Sequence, residues 1–172
     1  MNLDERCQSI RLILSDVDGV LTDGGIVFDG QGMEIKRFHV RDGLGIRLWR
    51  AAGYRFGLIT HRSSQIVKLR AAELNIDVLR QGTEDKLAAM ESVLKEWRLQ
   101  PQQVCYIGDD LPDLPPLRYA GLGVAVADAA AELRQVAHYV TALPGGAGAV
   151  RETIEMILKA QGRWDELIQN YR

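Results

Sequence analysis

The chain has 172 residues, 47% of them hydrophobic, and 21 basic against 23 acidic side chains give a formal net charge of −2. That length supports one domain with a substantial core, and the near balance of charge, with no basic block, argues against a nucleic-acid partner or an electrostatic membrane anchor. No segment reaches the roughly eighteen apolar residues of a membrane span, and the start Met1–Arg11 lacks the apolar stretch of a signal peptide. A cytoplasmic protein acting on small molecules is therefore expected, and Cys7 and Cys105 are too few for a disulfide framework.

The first predicted strand, Leu12–Val17, empties into Asp16-Val17-Asp18-Gly19. Side chains two apart on an extended chain point the same way, so Asp16 and Asp18 leave the strand together, and Gly19 permits a sharp turn. Two such carboxylates are costly without a cation. An EF-hand calcium loop counted from Asp16 would need a carboxylate where Val27 stands, which removes that option. Segment 26–40 carries two alternating runs around Gly30-Gln31-Gly32, predicting an antiparallel hairpin that lies as a flap beside the Asp16 turn.

Helix and strand patterns then alternate: helix 44–52, strand 55–60, helix 65–74, strand 76–79, helix 85–97, strand 104–107, helix 114–119, strand 123–126, helix 129–137 and a short strand 138–140. This alternation predicts βαβ units and an α/β fold with a mainly parallel sheet. After Gly145-Gly146-Ala147-Gly148, the residues Val150, Ile154, Ile157 and Leu158 repeat at helical spacing. Trp164, Leu167, Ile168 and Tyr171 continue a helix-compatible spacing in the tail 163–172.

In open α/β sheets the ligand crevice lies beyond the carboxyl ends of the strands, where the winding reverses. Three further groups fall there. Thr60 ends a strand and precedes His61-Arg62-Ser63-Ser64, where a hydroxyl and backbone N–H groups near a helix start can hold a phosphate. Lys86 opens a helix, where a cation opposes the dipole unless an anion is close. Gly108-Asp109-Asp110-Leu111-Pro112-Asp113 puts three carboxylates in one loop, a density suited to Mg²⁺. Singly, these features also fit an N-cap, a solvated lysine and an acidic turn; their order along one α/β chain is far more specific.

That series resembles the haloacid dehalogenase-like phosphotransferase superfamily, over almost the whole chain. The resemblance implies a Rossmann-like three-layer α/β/α fold with Asp16 as nucleophile and Asp18 as general acid and base, its backbone carbonyl also reaching the metal. It implies Asp109 as a further ligand of Mg²⁺, Asp113 as a residue that holds a metal-bound water or orients Lys86, and no settled role for Asp110. Thr60, with the backbone near Val17 and Asp18, would cradle the phosphate. The intervals between Asp16, Thr60, Lys86 and Asp109 are each shorter than the roughly 50 residues of the smallest common domains, so no cap domain fits. Closing an uncapped site requires neighbouring subunits, which predicts a homo-oligomer built around the hairpins, and the superfamily's uncapped members suggest a homotetramer.

Within the uncapped group the chain is similar to the members that act on 3-deoxy-D-manno-octulosonate 8-phosphate. The similarity rests on Asp16–Gly24, the loop expected over His39–Gly43, Ile59-Thr60 with Arg62, and Gly145–Glu152. It implies substrate contacts from His39, Val40, Arg41, Asp42, Gly43, Arg47, Arg62, Arg70 and Lys86, whose guanidinium groups suit the carboxylate of an acidic sugar phosphate. His61 departs from the subgroup, which usually has Gly there. A nonulosonate 9-phosphate is the alternative substrate, and a non-catalytic oligomerisation module is the alternative of another class. The tail is expected either to pack locally or to close a neighbour's pocket.

Overall fold

The computed structural model describes residues 1–171. Six strands form one parallel sheet: β1 (Leu12–Ser15), β4 (Arg55–Ile59), β5 (Val78–Arg80), β6 (Val104–Gly108), β7 (Leu122–Ala125) and β8 (Tyr139–Val140), in the spatial order β5-β4-β1-β6-β7-β8. The chain winds outward from β1 to β4 and β5, then returns to the other side of β1 for β6, β7 and β8, which puts the reversal of winding at β1. The register brings Ser15 opposite both Leu58 and Ile107, so the segments after β1, β4 and β6 emerge at one end of the sheet.

Every residue of β1 is buried. That is the pattern of a parallel strand covered on both faces, and it explains why an apolar run rather than an alternation marks it. The largest buried side chains include Trp49, Tyr106 and Phe56. The helices pack in two groups. One holds α1 (Leu3–Ser9), α2 (Val40–Ala51), α7 (Ala149–Ala160) and α8 (Trp164–Leu167); the other holds α4 (Lys86–Trp97), α5 (Leu114–Tyr119) and α6 (Ala131–Val136). With α3 (Gln65–Glu73) they complete the expected α/β arrangement. Gly45 lets α2 approach α7 closely, since a Cβ there would lie 3.2 Å from the Arg151 Cα.

Several boundaries differ from the sequence reading. The hairpin strands β2 (Val27–Phe28) and β3 (Glu34–Ile35) are short, and segment 39–43 is not a loop: His39 caps α2 and residues 40–43 form its first turn. Phe38 and Val40 had extended the apparent alternation past the true strand end, while Gly43 and Gly45 weakened the helical signal. The N-terminal helix α1 was missed although Asn2 and Glu5 form a reciprocal capping box there. In the tail, Trp164 is buried and lies under the cations of Arg151 and Lys159, so α8 packs locally. Tyr171 is exposed, and Arg172 lies outside the described residues. Both cysteines are free and buried, and no helix among the described residues is long and apolar enough to cross a membrane.

Candidate active site

The turn after β1 is held by its own backbone. The Val17 carbonyl accepts from the N–H groups of Leu21 at 2.9 Å and Thr22 at 3.1 Å, and the Asp16 N–H donates to the Ile107 carbonyl of β6 at 3.0 Å. Gly19 adopts φ +89°, and a Cβ there would sit 2.0 Å from Asp109 Oδ2, so this position accepts glycine for both conformation and space. From the opposite side Gly145 touches Gly19, where a Cβ would fall 1.7 Å from the Gly19 carbonyl oxygen, and Gly146 N–H donates to the Val20 carbonyl at 2.9 Å. The Gly145–Gly148 segment thereby braces the Asp16 turn.

Three strand ends and one helix start converge on a cleft of about 150 Å³ lined by Asp16, Asp18, Thr60, His61, Arg62, Lys86, Asp109, Asp110 and Pro112. Lys86 is buried and bridges two carboxylates, with Nζ 2.7 Å from Asp16 Oδ2 and 2.7 Å from Asp113 Oδ1. Asp16 Oδ1 accepts from the Val17 N–H at 2.7 Å. Asp113 is fully occupied: Oδ1 also takes the Tyr106 hydroxyl at 2.7 Å, and Oδ2 takes the N–H groups of Asp109 and Asp110 at 3.1 and 3.4 Å. Thr60 ends β4 with its N–H on the Arg80 carbonyl, and its Oγ1 accepts from the Arg62 N–H at 3.4 Å. The His61 ring hydrogen-bonds with the Glu84 carbonyl at 3.1 Å, tying the Thr60 loop to the segment that leads into Lys86.

The electrostatics of this cleft call for a cation. Carboxylate oxygens of Asp16, Asp109 and Asp113 come within 4.8 Å of one another, and Asp109 Oδ1 is buried without a partner. Burial, aided by the charge of Asp113, pushes Asp16 up to about 7 against the pull of Lys86. Burial, then Asp16 and Asp113, push Asp109 up to about 8. Burial alone would favour loss of the Lys86 proton, but Asp16 and Asp113 outweigh it and raise its pKa above the ordinary lysine value. The donor set is all oxygen, as hard divalent cations require. An orphaned carboxylate oxygen facing two more carboxylates therefore fits a divalent ion, with Asp113 already committed to Lys86 and the loop backbone.

A pH dependence follows. Between the ordinary value of 3.8 and the raised values near 7 and 8, the folded protein keeps protons that the unfolded chain has released, so the metal-free protein loses stability as pH rises through that window. Metal ligation requires the ionised carboxylates, so Mg²⁺ binds more tightly at pH 8 than at pH 6. Thermal melts are expected to show the metal-free midpoint falling from pH 6 to 8 and the Mg²⁺ increment growing; an increment equal at both pH values contradicts this electrostatic account.

The other predicted substrate residues lie outside this cleft. Val40 is 80% exposed at the start of α2, and His39 Nδ1 accepts from the Arg41 N–H at 3.3 Å as the helix cap. Asp42 is 1% exposed, and its Oδ1 accepts from the Arg151 N–H at 2.8 Å, which makes it a cap of α7 rather than an open ligand group. Gly43 is buried against the Arg70 guanidinium; Arg70 donates to Glu73 at 2.9 Å, and Arg47 stands 4.0 Å from the same carboxylate. Arg41 lines a separate cavity of about 850 Å³ between α2 and α7, where Arg151 and Lys159 are already paired with Glu155. Sequence reasoning missed Tyr106, Glu34 and Lys36, although the last two alternate with apolar residues in the hairpin.

Comparisons with known proteins agree with this geometry. The family profile of haloacid dehalogenase-like hydrolases matches residues 45–151. The 3-deoxy-D-manno-octulosonate 8-phosphate phosphatase KdsC of Yersinia pestis is 48% identical over 159 residues, 92% of this chain and 85% of that protein. The crystal structure of 3-deoxy-D-manno-octulosonate 8-phosphate phosphatase from Moraxella catarrhalis, in complex with magnesium, phosphate and KDO, superposes with a TM-score of 0.96 at 42% identity, covering 98% of this chain and 97% of that one. The cobalt-bound phosphatase of Haemophilus influenzae superposes with a TM-score of 0.89 at 40% identity, covering 92% and 93%.

Proposed function

The chain belongs to the haloacid dehalogenase-like hydrolases, and on that premise we propose that it is a Mg²⁺-dependent phosphatase of 3-deoxy-D-manno-octulosonate 8-phosphate, working in the cytoplasm as one phosphatase domain. The observation that carries this reading is the Lys86 bridge, which sets Asp16 at the end of β1 within reach of the Asp109 oxygen that has no other partner. Asp16 Oδ2 attacks phosphorus and forms an aspartyl-phosphate, which divides the hydrolysis into two steps. Lys86, Thr60 and the N–H groups after Asp16 hold the phosphoryl oxygens in line, because a loose transition state gains most from alignment and charge stabilisation. Asp18 gives a proton to the departing sugar oxygen, then takes one from the water that releases phosphate. Asp16, Asp109 and the Asp18 carbonyl would hold Mg²⁺, which would supply a Lewis acid to screen the approach of two anions. Asp113 keeps Lys86 in place.

Ile26, Val27, Phe28, Met33 and Ile35 are all exposed on the hairpin beside this open cleft. We read that face as covered by the hairpin of a second copy in a homotetramer, in which the first turn of α2, Arg47 and Arg70 serve the substrate of a neighbour. Light scattering should give the mass of four chains, and Phe28→Glu should lower it; a monomeric parent protein rejects this assembly.

A substrate panel tests the specificity. With Mg²⁺, kcat/KM for 3-deoxy-D-manno-octulosonate 8-phosphate should exceed that for simple phosphomonoesters by about 10²-fold or more, the scale on which binding of the non-reacting part lowers the barrier. Equal values overturn the sugar assignment, and preference for a nonulosonate 9-phosphate replaces it.

A further inference from the structure

The hairpin does more than expose an apolar face. Alternation along β3 and the residues on either side of it puts Met33 and Ile35 outward, while Glu34 and Lys36 turn toward the cleft. The Lys36 side chain is 1% exposed; its ammonium pairs with Asp18 Oδ1 and lies 3.2 Å from Glu34 Oε1. Glu34 is itself anchored, with Oε2 accepting from the Ser64 hydroxyl at 2.6 Å and Oε1 from the Arg62 guanidinium at 3.0 Å. Those bonds, led by Ser64, draw the Glu34 pKa down to about 2. Arg62 and Ser64 follow Thr60 at the end of β4, so one strand of the hairpin is fastened both to the phosphate side of the cleft and to Asp18.

Asp18 needs such a support. Asp16 is oriented by a backbone N–H and by Lys86, whereas the donor that reaches the Asp18 side chain is Lys36, with Arg62 farther away at 4.0 Å. A lysine buried to this degree is stable only with compensating carboxylates, and Glu34 already supplies one. The second contact, on Asp18, fixes the orientation of that carboxyl group.

We propose that Lys36 is a positioning residue for Asp18: it engages Oδ1 and leaves Oδ2 to serve the leaving-group oxygen. This rests on the reading of Asp18 as proton donor. In the step concerned the bond from phosphorus to the sugar oxygen breaks, its electron pair stays on that oxygen, and the oxygen takes the proton of Asp18. The hairpin thus becomes part of the catalytic geometry.

The test compares first-turnover release of the leaving group from a primary alkyl phosphate, which needs a proton, and from 4-nitrophenyl phosphate, which does not. Each is measured with the full chain in enzyme excess and saturating Mg²⁺. Lys36→Met should slow the alkyl phosphate about tenfold to a hundredfold, the range expected when a catalytic group is misplaced by about 1 Å, and should leave 4-nitrophenolate release within about threefold. Lys36→Arg, which keeps charge and reach, should recover most of the loss. Equal slowing of both substrates, or slowing of neither, overturns the proposal, with light scattering and thermal melts on the same samples reporting folding. Asp18→Asn is the companion variant. If it lacks the same leaving-group dependence, the reading of Asp18 fails; if it has the dependence and Lys36→Met does not, only the role of Lys36 fails.

Discussion

Replacing Asp16 with Asn removes metal-dependent phosphate release, with kcat falling by about 10⁴–10⁶-fold, the scale seen when a nucleophile that works with its neighbours is lost. The size follows from what Asn retains and what it loses. The amide oxygen can still accept from the Val17 N–H, and Lys86 still has Asp113 at 2.7 Å, so the turn and the buried lysine keep their partners. The carboxylate proposed to attack phosphorus is gone. The fold should be preserved, and above pH 7 the metal-free variant should melt no lower than its parent, because burial has already pushed the Asp16 carboxyl up to about 7 and its ionised form is disfavoured there. Activity equal to that of the parent would reject Asp16 as the nucleophile.

Lys86→Met should slow turnover less than Asp16→Asn but should affect stability as well. Its ammonium holds Asp16 and Asp113 at 2.7 Å each, and both carboxylates stand near Asp109. Removing one partner of a buried ion pair typically costs about 3–5 kcal/mol, less here wherever the carboxyl groups take up a proton instead. The sign is fixed by the same cluster. Without the cation the carboxyl pKa values rise further, so the variant is hurt least at pH 6 and most at pH 8. Mg²⁺ should restore part of the melting midpoint, since it neutralises the same charges. It should not restore turnover, where a fall of about 10²–10³-fold is expected from losing one preorganised charge at the transferring group. Thermal melts at two pH values with and without Mg²⁺, set beside kcat, separate these effects; full recovery of kcat by Mg²⁺ would contradict the role given to Lys86.

The groups that were legible in the sequence are those that end an apolar run. Asp16, Thr60 and Asp109 each follow a strand whose burial on both faces leaves a continuous hydrophobic signature, and Lys86 stands out because it opens a helix against the dipole. The parallel sheet, the order of crossovers and the hairpin came from the same local patterns. What was not legible depends on long-range partners. Asp42 reads as part of a loop motif, but it folds inward to cap α7, 109 residues away along the chain. Lys36 reads as a solvated hairpin charge because Asp18, Glu34 and the strand that aims it meet only when the flap folds over the cleft. Tyr106 reads as core, and it is buried, yet its hydroxyl donates to Asp113 and so helps set Lys86. The start of α2 was misplaced for a local reason: an apolar alternation ran past the strand, and two glycines diluted the helical pattern behind it.

The central claim is that phosphate passes through a covalent bond to Asp16, and trapping that bond tests it most directly. Asp18→Asn is expected to slow release of the phosphoryl group by water while sparing transfer from 4-nitrophenyl phosphate, whose leaving group needs no proton. Mixing this variant with Mg²⁺ and 4-nitrophenyl phosphate, quenching in acid within the first turnover and mapping the peptides by mass spectrometry should therefore place one phosphoryl group on Asp16. A phosphoryl group on any other residue, or release of 4-nitrophenolate with no phosphorylated peptide at any time point, would contradict the account.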